Sequence, residues 1–341
     1  MIKEAIGSLV LGKSLTIEQS ASVMDEIMEG KTTPAQIGAF LTALRVKGET
    51  AEEIAGLASV MRAKSTRIIT DTPVLDIVGI GGDGINTFNI STAAAFVISG
   101  AGVKVAKHGN RAASSMCGSA DVLEALGIKI DLPAEQVKTC IEQAGIGFMF
   151  APVFHPAMKY VAPSRREIGI RTVFNILGPL TNPACAQYQL IGVPEISLGD
   201  KIISALSHMD IKHALVVHGL DGMDEMSISG DSVIWELKDN EIIKFRHALS
   251  PEEMGLKASP LESVKGGSAQ ENALTLRAVL SGEKGPKRDV VLLNAAAALM
   301  VADRVKTINE GISLAAKTID SGLALAKLES LIKLSQSQAG G

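Results

Sequence analysis

The hydrophobic rhythm of the chain changes near residue 70. Before that point apolar residues recur at three- and four-residue spacing, as in Ile37, Phe40, Leu41 and Leu44, which predicts amphipathic helices. Three helix starts share one signal, a threonine followed three positions later by Gln or Glu: Thr16 with Gln19, Thr33 with Gln36, and Thr50 with Glu53. Each pair can satisfy orphan backbone amides reciprocally. Pro34 suits a first helical turn, and Gly30 and Gly48 suit left-handed stops.

From Asp71-Thr72-Pro73 onward, short apolar runs alternate with helical stretches, the pattern of a mostly parallel sheet with crossover helices. Strands are predicted over 74–78, 103–107, 146–150, 188–192 and 213–218, and helices over about 91–101, 120–126, 134–144 and 197–209. Residues 155–182 read as interrupted helix that returns the chain to the helical part. The run "VIWELKDNEIIKFRHAL" alternates like an antiparallel hairpin around Asp239-Asn240, and Ala-rich stretches from about 270 to 336 predict closing helices. The expected fold class is α/β. A small all-helical domain covers 1–70, joined by part of 155–185, and a larger α/β domain over 71–341 has a mostly parallel central sheet flanked by helices.

Composition narrows the function. The 341 residues suffice for two domains with a core that needs no disulfide, and Cys117, Cys140 and Cys185 show no metal-ligand spacing, which points to a reducing cytoplasm. The start, "MIKEAIGSLVLGKS", is too broken by Lys3, Glu4 and Gly7 for a signal peptide. No other apolar run is long enough for a membrane span. A formal charge of -4 argues against a broad nucleic-acid footprint, so anionic ligands would be met by local chemistry.

Three segments carry that chemistry. "GIGGDGINTFNIST" (79–92) leaves a strand and enters a helix, where unpaired amides can face an anion, and Gly79, Gly81, Gly82 and Gly84 remove side chains that would block its approach. Neither the Walker nor the dinucleotide glycine spacing is present, which removes the main support for ATP hydrolysis and hydride transfer. "VKVAKHGNRAASSMCGSAD" (103–121) adds Lys107 as a mobile point charge and Arg111 as a planar fork, with Asn110, Ser114, Ser115 and Ser119 as neutral hydrogen-bonding groups. For His108, packing competes with polarisation of a ligand, and Ser119 also suits the N-cap of the next helix. Cys117 has no partner that marks a nucleophile. "HGLDGMDEMS" (218–227) places Asp221, Asp224 and Glu225 after an apolar strand. Carboxylates so close repel one another unless a hard cation such as magnesium sits between them and a phosphate; a solvated acidic turn is the plainer alternative. Open parallel sheets bind ligands at the carboxyl ends of their strands, where all three loops can converge.

These segments, together with "RDVVLLNAAAAL" (288–299), resemble the anthranilate phosphoribosyltransferase family along essentially the whole chain. The resemblance implies a helical domain plus an α/β domain, a homodimer formed through the helical part, and transfer of phosphoribosyl from 5-phosphoribosyl 1-pyrophosphate to anthranilate. It assigns the donor to Gly79, Gly82, Asp83, Thr87, Asn89, Ile90, Ser91 and Thr92, with Lys107, His108, Gly109, Asn110, Arg111, Ala112, Ala113, Ser114, Ser115 and Ser119 closing around it. Anthranilate falls to Gly79, Asn110 and Arg165, with His108 and His155 at the entrance, and magnesium, two ions per subunit, to Ser91, Asp224 and Glu225. No nucleophile is implied; Lys107, Asp224 and Glu225 stabilise the transition state. The family often has Thr where Ile80 stands, and Ala112 and Ala113 make the second loop less polar than in many relatives. Two rivals remain at this stage, a pyrimidine nucleoside phosphorylase and a non-enzymatic nucleic-acid-binding relative. The acidic pair argues against the first, and the net acidity with 3% aromatic content against the second.

Overall fold

The computed structural model describes residues 1–112, 116–239 and 241–338. Helices α1 (Ile2–Val10), α2 (Ile17–Met28), α3 (Pro34–Lys47) and α4 (Ala51–Ala63) open the chain. The three expected capping boxes are all formed, at Thr16, Thr33 and Thr50. Gly30 and Gly48 adopt the left-handed angles, φ 70° and 87°, that end α2 and α3.

The α/β part then runs β1 (Leu75–Gly79), α5 (Ile90–Gly100), β2 (Val105–Gly109), α6 (Ser119–Ala125), α7 (Ala134–Gln143) and β3 (Ile146–Phe150). An excursion follows through α8 (Ala151–Phe154), a 3-10 turn (Pro156–Tyr160), α9 (Ala162–Ile168) and α10 (Phe174–Leu180). The chain returns to the sheet with β4 (Tyr188–Gly192), α11 (Ile196–Ser207), β5 (His213–Gly219), β6 (Ser232–Lys238) and β7 (Glu241–Leu249). It closes with α12 (Ala269–Leu280), α13 (Pro286–Val301), α14 (Ile308–Asp320) and α15 (Leu323–Gln338). Strands β6 and β7 form the expected hairpin, with Asp239 at φ 50° in its turn; Asn240 lies outside the described residues.

Strand order is β3-β2-β1-β4-β5-β6-β7, with β1 to β5 parallel and the last two antiparallel. The order reverses direction between β1 and β4, so the crevice favoured for ligands in open sheets falls beside the glycine loop. Both faces of the sheet are covered, and β5 shows how: Leu215 and Val217 join the apolar cluster under α5 and α12–α15, while Ala214 and Val216 join the cluster with α1–α4. Val161, Val173, Phe174, Ile176, Leu177 and Leu180 from the 155–182 excursion sit in that second cluster, which also takes in α11 and the adjoining sheet face. Among the described residues no helix is long and apolar enough to cross a membrane.

Two expectations need correction. Strand β2 begins at Val105 rather than 103, because Gly102 turns at φ 93° and the Val103 amide is used on Ile98 O to close α5. The strand then continues to Gly109, pairing His108 with Met149 and Gly109 with Phe150. His108 is therefore a strand residue, not a loop residue, while Lys107 lies in the strand as the 103–107 expectation has it. Ser119 is the first residue of α6, with Gly118 at the cap; Asp121 takes over the capping, accepting from the Gly118 and Ala112 amides.

Candidate functional site

The carboxyl end of β1 and the turn after β5 are joined through Asp224. Its Oδ2 accepts the Gly81 amide at 2.6 Å, and the bare Cα of Gly79 and Gly192 leaves room for the turn; a methyl group at either would collide with Asp224. Glu225 reaches the start of α5, where its Oε1 accepts the Ser91 amide at 3.1 Å. This is the positive end of an eleven-residue helix, a favourable place for negative charge. Asn294 of α13 holds the turn from behind: its Oδ1 accepts Met226 N at 3.0 Å and its Nδ2 donates to Met226 O at 2.9 Å.

The two carboxyl groups are nevertheless poorly served. Burial raises Asp224 to about 7, with the nearby Asp83 adding to the effect. Glu225 is raised well above the carboxylate range by burial, then by Asp224 and Asp83. Lys107 is the neighbouring cation, yet it is buried beneath the loop, donating to Ile77 O at 2.6 Å and to Ser91 Oγ at 3.4 Å. It is a fixed charge rather than the mobile one expected, because its side chain is buried and its amine is held by these two partners. Burial lowers its pKa, against the pull of Asp76 and Glu225. Asp83, Asp224 and Glu225 crowd one another while Lys107 is drawn to Asp76 and Glu225, and a divalent cation would relieve the crowding. Among the described residues no group of three or more His, Cys, Asp or Glu side chains is placed to hold a metal ion.

Asp221 does not share in this. Its Oδ2 accepts the hydroxyls of Ser227 and Ser229, and its Oδ1 the Met223 amide, so it staples the turn. Around the glycine loop, Gly81, Gly82 and Gly84 have positive φ, Asp83 accepts the Ile85 amide, and Thr87 bridges to Lys265. Ile80 pairs through its backbone amide with Gly192 O while its side chain packs on the helical cluster. Asn89 is braced on both sides, accepting from Asn272 at 3.0 Å and donating to Cys117 O at 3.1 Å. Ile90 and Thr92 are buried; the Ile90 amide donates to Phe88 O at 2.7 Å, and among the described residues the Thr92 hydroxyl has no hydrogen-bond partner.

In the second loop, Arg111 differs from expectation. Its fork engages Asp121 and Glu124, with Nη1 to Glu124 at 2.8 Å, because α6 brings those carboxylates to the loop. Asn110 accepts the Arg111 amide at 2.8 Å and, through its carbonyl, the Ser119 hydroxyl at 3.4 Å. Gly109 gives Ser119 and Phe148 the room of a missing side chain, and Ala112 is tied to Asp121. Ala113, Ser114 and Ser115 lie outside the described residues. Beside this loop a cavity of about 500 Å³ is lined by Met116, Asp121, Glu124, Ala125, Ala269 and Gln270, none of them part of the acidic turn.

On the helical side, half-buried Arg165 stacks its guanidinium 5.2 Å from the centroid of the Phe174 ring. His108 and His155 are both buried with ring centroids 5.0 Å apart. Burial drives His108 down to about 3, with His155 adding to the effect, and burial drives His155 to about 4. Both are neutral near pH 7, and His108 Nδ1 lies 3.3 Å from Gly178 O. The sequence reading did not single out Asn294, Asn272, Gly192 or Arg171. The last donates from Nη2 to Gly81 O at 3.2 Å across the crevice.

The α/β domain model of a glycosyl transferase family matches residues 71–325, and the helical bundle domain model of the same family matches residues 3–65. An anthranilate phosphoribosyltransferase of Dehalococcoides mccartyi is 89% identical over 341 residues, covering all of both chains. The chain belongs to the anthranilate phosphoribosyltransferase family. The family member of Chloroflexus aggregans is 56% identical over 99% of both chains. The crystal structure of the anthranilate phosphoribosyltransferase from Thermus thermophilus has a TM-score of 0.91 at 44% identity, covering 97% of this chain and 99% of that one. That of the Saccharomyces cerevisiae family member, in complex with PRPP and Mg, gives 0.90 at 31% identity over 98% of both.

Proposed function

We infer that the chain transfers the phosphoribosyl group of 5-phosphoribosyl 1-pyrophosphate to the amino group of anthranilate, giving N-(5-phosphoribosyl)anthranilate and pyrophosphate, in L-tryptophan biosynthesis. The observation that carries this beyond family membership is the uncompensated acidic pair, bonded to both the glycine loop and the start of α5 at the reversal of strand order. The diphosphate of the donor would lie on the glycine loop and the first turn of α5, with the second loop over it. Arg165 would take the carboxylate of anthranilate, near Gly79 and Asn110.

The residues divide the work by charge. As the ribose C1–O bond breaks, the electron pair leaves with pyrophosphate and the sugar gains oxocarbenium character. The glycine loop and the positive end of α5 would lie beside that developing negative charge. The amine of anthranilate then forms the C1–N bond and releases its proton, and because an aromatic amine is already unprotonated near neutral pH, its alignment matters more than a strong base. Two buried neutral histidines fit that requirement. Ser91, Asp224 and Glu225 would hold magnesium, two ions per subunit in this reading, which supplies positive charge to the leaving diphosphate when bound.

The same reading divides the chain into a helical domain, 1–70 with part of 155–185, and a donor-binding α/β domain, 71–341. It extends to a cytoplasmic homodimer through the helical domain. Val10, Leu11 and Val46 are apolar and mostly exposed there, at 70%, 73% and 82%, which supports a second copy covering them. Light scattering of the native chain and of Val46→Glu tests the dimer. The activity is tested by the loss of anthranilate fluorescence in the presence of the donor. Depletion with magnesium and little without it is expected; no depletion under either condition refutes the reading.

A further inference from the structure

We propose that Arg171 is an additional residue of the donor site, bracing the glycine loop from the helical side and presenting its guanidinium to the diphosphate. This rests on the function inferred above. Arg171 lies on the short strap between α9 and α10, whose buried residues belong to the helical cluster, yet its side chain crosses to the α/β part. Nη2 donates to Gly81 O at 3.2 Å, and Nη1 occupies the space that a side chain at Gly82 would fill. The bare Cα of Gly82 thus serves a cation as well as a ligand.

The other cations near the crevice are already engaged. Lys107 is held by Ile77 O and Ser91, Arg111 by Asp121 and Glu124, and Arg165 rests on Phe174. Among the described residues Arg171 has a neutral carbonyl as its partner and no carboxylate within ion-pair reach. An exposed fork at the anion-facing loop can exchange one carbonyl for two phosphate oxygens, a stronger, charge-assisted arrangement. Because the strap is continuous with α9 and α10, the exchange would link donor binding to the helical side of the crevice.

The test compares the native enzyme with Arg171→Gln and Arg171→Lys. KM for donor and for anthranilate are measured separately, and binding of inorganic pyrophosphate with magnesium is followed by calorimetry. For Arg171→Gln, donor KM and pyrophosphate Kd rise together, roughly tenfold or more, while anthranilate KM and the melting temperature stay near native values. Lys recovers part of the loss, since it restores charge without the fork. Unchanged donor KM and pyrophosphate Kd, or a defect confined to anthranilate, overturns the assignment. If the native enzyme consumes no anthranilate, the inferred function fails while the calorimetric comparison still judges Arg171: a tenfold weaker pyrophosphate Kd sustains it, and no difference overturns it.

Discussion

Two charged clusters sit at opposite ends of the same sheet and are built on opposite plans. At the carboxyl end, Asp83, Asp224 and Glu225 crowd one another, and burial and mutual repulsion raise Asp224 and Glu225. At the start of β5, signs alternate. His213 Nε2 lies 2.7 Å from Glu236, Lys238 contacts Asp303 at 2.9 Å, and Lys212 reaches the Tyr188 hydroxyl at 2.8 Å. Burial opposes ionisation of Asp303, but Lys238, with help from His213 and Lys212, lowers it. The second cluster answers its own charge and behaves as scaffold. The first leaves its crowded carboxyl groups unrelieved, and strain in charge, more than charge itself, is what marks a candidate site off from a support.

The comparison breaks most directly at the acidic turn. On the proposed reading, Asp224→Asn or Glu225→Gln should lower kcat/KM by about a hundredfold or more, because each removes a ligand of the magnesium that would offset the charge of the leaving diphosphate. The melting temperature of the ligand-free protein should hold or rise, since a buried like-charge contact is relieved. Steady-state kinetics across a magnesium titration and a thermal melt measure both. Near-native rates at limiting magnesium would sink the assignment.

Asn294 sharpens the contrast from behind the turn. Asn294→Ala leaves both polar groups of the Met226 peptide without their side-chain partner and should cost about 2–3 kcal/mol by urea unfolding. It should also weaken magnesium roughly tenfold, because the backbone carrying Glu225 loses its brace. A stability loss with unchanged magnesium half-saturation would make Asn294 structural alone.

How much of this the sequence discloses depends on the range of the interaction. Capping boxes at Thr16, Thr33 and Thr50 are local, and residues three apart predict them outright. The glycine loop and acidic turn are visible as motifs because each is a short segment with its own chemistry. What joins them is not: Asp224 meets Gly81, Glu225 meets Ser91 and Asn294 meets Met226 across long separations that depend on strand order. The burial of Lys107 is hidden in the same way, since its place in a strand does not disclose that its amine meets Ile77 O across the sheet, and only pairing with β3 carries the strand on to His108 and Gly109. The carboxylates that claim Arg111 are one helical turn apart in "GSADVLE", a signal present in the sequence but easily read as ordinary helix surface.

A smaller effect is expected where buried groups are neutral rather than crowded by charge. His155 is depressed to about 4 in the fold from an ordinary value near 6.5, so between those pH values the unfolded chain binds a proton that the folded chain does not. Its contribution is present above pH 6.5 and is lost as pH falls toward 4. Asp76 works in the other sense: burial raises it to about 6, so its term weakens stability as pH rises through that range. His155→Gln retains Asp76 and removes one titrating ring, and should reduce the slope of unfolding free energy between pH 6.5 and 4.5 by about 1.4 kcal/mol per pH unit. Parallel urea titrations compare the slopes; equal slopes would mean that His155 is accessible to protons in the folded chain.

The smallest effect belongs to the self-satisfied cluster. Asp303 sits at φ 53°, so Asp303→Asn keeps a residue that tolerates the left-handed backbone while removing the charge that Lys238 contacts. Both partners are about 40% exposed, water screens the pair, and the loss should be under about 1 kcal/mol with kcat/KM unchanged. Urea midpoints and kinetics at low and moderate salt read this out, the difference shrinking as salt rises. A tenfold fall in kcat/KM would show that the far end of the sheet is coupled to the acidic turn, because the substituted residue touches β5 and β6 through His213 and Lys238 rather than any part of the crevice.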